Sequence, residues 1–230
     1  MNITKAIVGS IAGTVLFAGG AHAAVLNWDQ GQGLSPGGTI VFDGNRIIGR
    51  DIGFDLMNAS GTLADGIYHC SNAGGTVALG ANRCLLSFES GPLDSVVGST
   101  YIFRSGGDIT MTGFLTTATP GNTGPVIAGS PLVLSGTVRS YTVTLINGTG
   151  VAAGLGIDFK DLSLVEYFGT GQRFDFTMSQ LAINGCTSAN GGFSCNVNNA
   201  DFQNVVPEPG SLALLGLGLL GVGAVRRRKA

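Results

Sequence analysis

Four stretches of the chain alternate apolar and polar residues with a period of two, the pattern of a strand with one face buried and the other wet. In "RFDFTMS" Phe174, Phe176 and Met178 share one face, and Arg173, Asp175, Thr177 and Ser179 share the other. "SYTVTL" sets Tyr141, Val143 and Leu145 inward, "RDIGFDL" does so with Ile52, Phe54 and Leu56, and "DITMTGFL" with Ile109, Met111 and Leu115. Between the runs lie Asp43-Gly44-Asn45, Ser105-Gly106-Gly107, Asn147-Gly148 and Gly169-Thr170-Gly171, residue types that accept the positive φ of tight turns. "TYIFRSGGDITMTGFL" reads most clearly as a hairpin. No window from Ala24 to Val206 holds a helical period over three turns, and "SLVEYF" around Val165 gives at most one short helix. No repeat of fixed period occurs, which argues against a solenoid or propeller. The expected fold class is all-β, a single antiparallel β-sandwich or jelly-roll-like domain.

The two ends break this pattern. "MNITKAIVGSIAGTVLFAGGAHA" has one early base (Lys5), an uncharged stretch from Ala6 to Gly20 and the small-residue pattern Ala21-His22-Ala23, the form of a secretory signal helix cleaved after Ala23. At the other end Ser211 to Val225 carry no charge, and Arg226, Arg227, Arg228 and Lys229 follow at once. As a helix that stretch spans about 22 Å, short of a hydrocarbon core of about 30 Å, and its glycines weaken it further. The basic cluster stays on the cytoplasmic side and leaves the body outside. Pro207-Glu208-Pro209 lies just before the stretch, its prolines holding the backbone extended as a processing enzyme's cleft requires. The expected organisation is a signal peptide over 1–23, an exported β-rich domain over 24–195, a linker over 196–206 and a C-terminal signal with a short transmembrane helix over 207–230.

Charge changes the picture once the ends are set aside. The body keeps Arg46, Arg50, Arg83, Arg104, Arg139, Lys160 and Arg173 against thirteen acids, a net charge of −6 with a single lysine. This balance argues against nucleic acid as a partner, because phosphate binding needs clustered Lys and Arg. Glycine supplies 39 of 230 residues where about 7% is usual, which fits a folded domain with many tight turns.

Cys70, Cys84, Cys186 and Cys195 make an even count in an exported chain, and their near-neighbour spacing favours the disulfides Cys70–Cys84 and Cys186–Cys195 over the other connectivities. No C-x-x-C occurs and the mature chain has one histidine, so no zinc site is expected. His69, beside Cys70, has no nucleophile-elbow serine to serve and reads as a surface or turn residue. Glu89, Glu166, Asp55, Asp108, Asp158, Asp161 and Asp175 are the carboxylates from which a glycan-hydrolysing pair would be drawn, although outward polar positions on strands account for each. Trp28 and Tyr68 form either a sugar-stacking platform or caps at a core edge. There is no phosphate-cradling loop, and no cofactor or metal is expected.

Val206-Pro207-Glu208-Pro209, the Leu/Gly-rich run and the closing Arg-Arg-Arg-Lys together resemble the PEP-CTERM sorting signal of Gram-negative bacteria. That resemblance covers the last 25 residues alone. It implies export through the Sec machinery, transient retention in the inner membrane, processing by an exosortase near Pro207-Glu208-Pro209, and arrival at the cell surface or in an exopolysaccharide-rich biofilm matrix. The function expected is that of a non-enzymatic matrix or surface protein; the alternatives are a carbohydrate-binding module on a β-sandwich and an exported glycan hydrolase.

Overall fold

The structure is a computed structural model that describes residues 24–30, 37–74, 76–77, 82–119, 121–128, 132–189 and 191–205. Both expected terminal helices, with Ala21, Ala23, Pro207, Glu208, Pro209 and the basic cluster Arg226 to Lys229, lie outside the described residues. No helix among the described residues is long and apolar enough to cross a membrane.

The chain opens with six strands, β1 (Val25–Asp29), β2 (Thr39–Phe42), β3 (Ile47–Phe54), β4 (Leu56–Ser60), β5 (Gly66–Ser71) and β6 (Cys84–Glu89). Five short ones follow, β7 (Leu93–Val97), β8 (Thr100–Phe103), β9 (Asp108–Thr112), β10 (Phe114–Thr116) and β11 (Val126–Ala128). The second half is built on three long strands, β12 (Leu132–Ile146), β13 (Thr149–Lys160) and β14 (Arg173–Ala189), with helix α1 (Leu162–Phe168) between the last two. It closes with β15 (Gly192–Asn199) and β16 (Asp201–Val205).

All sixteen strands among the described residues belong to one hydrogen-bonded sheet and every pairing is antiparallel, so the expected all-β antiparallel class holds. Pairing runs from β12 through β13, β14, β15, β2, β3, β6 and β9 back to β12, a ring of eight strands. A second row, β16, β1, β4, β5, β10 and β11, branches from β14. Strand β14 feeds both because it is 17 residues long: Asp175 to Met178 pair with β16, and Ala182 to Ala189 pair with β15.

The predicted faces hold where the contrast between apolar and polar positions is strong. Phe174, Phe176, Met178, Tyr141, Val143, Ile109, Met111 and Leu115 are all buried. "RDIGFDL" keeps its phase through Ile52 and Phe54 and then slips by one: Asp55 is buried, Leu56 is half-buried, and Met57 and Ala59 take over the interior. The slip falls where the chain leaves the edge of β6 and joins β1 and β5, with Asp55 N donating to Asp29 O and Asp55 O accepting from Cys70 N.

Two turn signals behave as read. Asp43 Oδ1 accepts from the backbone N–H of Asn45 and Arg46 to close the β2–β3 hairpin, and Asn147-Gly148, at φ 51° and 77°, closes β12–β13. Gly169, at φ 62°, ends α1, which Asp161 begins by accepting from Ser163 N. The hairpin expected over 100–115 does not form. Strands β8 and β9 follow each other along the same edge of β12, and Gly106 and Gly107 interrupt what is otherwise one strand, bonding to Val138 O and N. Positive φ at both glycines (125° and 78°) gives a jog here in place of a reversal.

The expected linker over 196–206 is also overturned, since Cys195 to Asn199 complete β15 and Asp201 to Val205 form β16. Val197 and Phe202 point inward, Asn199 Oδ1 accepts from Gln30 Nε2 and Asn204 is buried, so polar composition concealed two strands.

Candidate functional site

Strand β13 carries the most unusual arrangement. Its inward positions are Ala152, Gly154, Gly156, Asp158 and Lys160, while Val151, Leu155 and Phe159 stand about half exposed on the outside. The usual assignment of faces is inverted because neighbouring strands fill the interior. The rings of Tyr141 and Phe176 occupy the space that a side chain at 154 or 156 would need. Asp158, expected to point outward, is therefore buried, and Asp55 is a second correction of the same kind. Asp108, Glu166 and Asp175 are exposed as expected.

Pairing then brings four strands to bear on one spot. Asp158 lies opposite Phe174 of β14, Phe176 opposite Asn204 of β16, and Phe202 of β16 opposite Trp28 of β1. Lys160 is 2% exposed, Trp28 1%, and Asp158 and Asn204 0%. Lys160 Nζ donates to Asp158 Oδ2 at 2.6 Å, and Asn204 Nδ2 donates to the same oxygen at 2.7 Å. Trp28 Nε1 donates to Asn204 Oδ1 at 2.9 Å; since an indole N–H only donates, it fixes which end of the Asn204 amide is oxygen. Lys160 Nζ also sits 4.8 Å from the centroid of the Phe174 ring. Asp158 Oδ1 is buried with no hydrogen-bond partner among the described residues.

Burial dominates the electrostatics of this cluster. It lowers the Lys160 pKa to about 8 against the attraction of Asp158, and it raises that of Asp158 against Lys160 and Asn204. Both shifts narrow the gap between the ion pair and the neutral pair of an amine beside a carboxylic acid. The chemistry available is that of an amine with an accessible free-base form, next to a group that takes and returns its proton. In the sequence the one signal of this cluster is that Lys160 is the body's single lysine.

The remaining candidates are dispersed. Trp28 and Tyr68 are both buried, so neither offers a sugar-stacking platform. His69 is half-buried on β5, with its pKa lowered by burial against the pull of Asp55. Asp51, Glu89 and Asp108 border an open groove of about 340 Å³ across β3, β6 and β9, together with Arg50, Ser87 and Thr110, and Glu89 is ion-paired to Arg46. Asp161 caps α1. Among the described residues no group of three or more His, Cys, Asp or Glu is placed to hold a metal ion. Cys70–Cys84 joins β5 to β6, tying the branching row to the ring, and Cys186–Cys195 joins β14 to β15.

Fold and site define a disulfide-bonded all-β domain with a polar cluster sealed inside. The family model of the PEP-CTERM protein-sorting motif matches residues 205–229, a segment that contains Pro207, Glu208, Pro209 and the basic cluster and starts on the last residue of β16. The motif marks an exosortase-sorted exported protein, held at the membrane by its C-terminal signal before processing. No curated protein and no solved structure matches the chain.

Proposed function

We propose that the chain is a structural component of the cell surface or extracellular matrix, delivered through the Sec pathway, released or attached by exosortase, and associated with exopolysaccharide through a sandwich-like β body without turning over a substrate. The sorting motif over 205–229 carries this reading. Support comes from a domain held by two disulfides and an antiparallel sheet, features suited to persistence outside the cell. Changing Pro207-Glu208-Pro209 to alanines, or deleting the exosortase, is expected to leave the protein in the membrane fraction with its tail intact and to alter the matrix. Normal release with an unchanged matrix would overturn the reading.

One observation favours a second reading, glycan binding by the body. The groove across β3, β6 and β9 presents Arg50, Asp51, Ser87, Asp108 and Thr110, a set of hydrogen-bonding groups suited to sugar hydroxyls. A glycan array that includes the host's own polysaccharide should give signal that falls on Asp51→Ala; uniform silence removes this reading.

A further inference from the structure

We propose that Lys160 and Asn204 become joined by an amide between Nζ and Cγ, an intramolecular cross-link that the folded chain makes on itself with Asp158 as acid and base. The geometry carries the argument. The nucleophile Nζ and the leaving group Nδ2 donate to one oxygen, Asp158 Oδ2, at 2.6 and 2.7 Å, so the two nitrogens are held within two hydrogen-bond lengths of each other in a site closed to water. Proximity of this kind substitutes for the high concentration an intermolecular aminolysis would need. The Asn204 carbonyl is oriented by the Trp28 indole N–H, the donor that a tetrahedral intermediate requires for its developing oxyanion. Asp158 Oδ1, buried with no hydrogen-bond partner among the described residues, is open to hold the proton in transit.

The steps balance without an outside reactant. Lys160 transfers a proton to Asp158, a step that burial of both groups makes less costly than in water. The Nζ lone pair attacks Asn204 Cγ, and the carbonyl electron pair moves onto Oδ1 against Trp28. Asp158 gives its proton to Nδ2 and accepts one from Nζ. The Cγ–Nδ2 bond breaks as the carbonyl re-forms, and ammonia leaves. One primary amide and one amine become one secondary amide and ammonia, with no change of oxidation state.

The test is mass spectrometry of the protein purified from cells after export. With disulfides reduced, its intact mass should fall below that of the same sequence by one ammonia. Trypsin should leave Lys160 uncut and residues 140–173 linked to the fragment that begins at Phe174. Asn204→Ala and Lys160→Arg should each restore the full mass and separate the two peptides, and Asp158→Asn should do so with the chain still folded. Separate peptides in the unaltered protein would overturn the proposal, whatever the folding of the variants. So would loss of water in place of ammonia, or an ammonia loss traced to cyclisation at Asn147-Gly148 or Asn184-Gly185. A linked Asp158→Asn protein would overturn the role of Asp158.

Discussion

Lys160 is the single lysine between Ala24 and Val206, and it sits where an ammonium loses nearly all its hydration. That placement gives it a measurable pH signature. Without the cross-link Lys160 has a folded-state pKa near 8 against an unfolded value of 10.5, and Asn204→Ala keeps that titrating amine. Between those values the unfolded chain binds more protons than the folded one, so stability should rise with pH from about 8 upward. Tyr68, pushed up to about 12, and Tyr141, raised by burial, give the opposite slope above pH 10, which sets the upper limit of the useful window. Urea midpoints across that window should climb for Asn204→Ala and stay flat for an amide-linked parent, whose Lys160 no longer titrates. Asp158, with its pKa raised, works in the other direction: stability from this group is present in acid and falls as pH rises through its folded pKa.

Strand β13 shows how an element is fixed by its neighbours more than by its own composition. Gly156 faces the Phe176 ring and the carbonyl of Thr137, so Gly156→Ala should cost about 1–3 kcal/mol by overpacking. Gly171→Ala, where an added methyl meets nothing, should stay within about 0.5 kcal/mol, both read from urea unfolding. This strand also marks the boundary of what the sequence discloses. Strands that alternate large apolar with charged residues, such as Arg173 to Ser179, were legible in full because each position prefers one face. In β13 the inward positions are small or ionisable and the outward ones apolar, so alternation pointed the wrong way and hid Asp158 and Lys160. Strand β16 was hidden differently: Asn204 is polar yet interior, and its partners Trp28 and Asp158 lie 176 and 46 residues away, beyond the reach of any local pattern. Ser105-Gly106-Gly107 has turn chemistry, and only the edge of β12 decides that the strand carries on past it.

For the molecule as a whole, body and sorting signal meet at Val205, which ends β16 and begins the segment that the sorting motif matches. A chain ended after Val205 should fold, whereas one ended after Ala200 loses β16, bares Trp28 and Phe176, and takes Asn204 from Asp158. Soluble yield and a cooperative urea transition should separate the two truncations, and a cooperative transition in the shorter chain would argue against this boundary. The same junction has a mechanical meaning. Any tension applied through the processed terminus enters the protein at β16, a strand clamped between β1 on one side and β14 on the other. The load must therefore strip two ladders before the body can unravel, and the contact from Asn204 to Asp158 passes part of it across β14 into β13, well inside the ring.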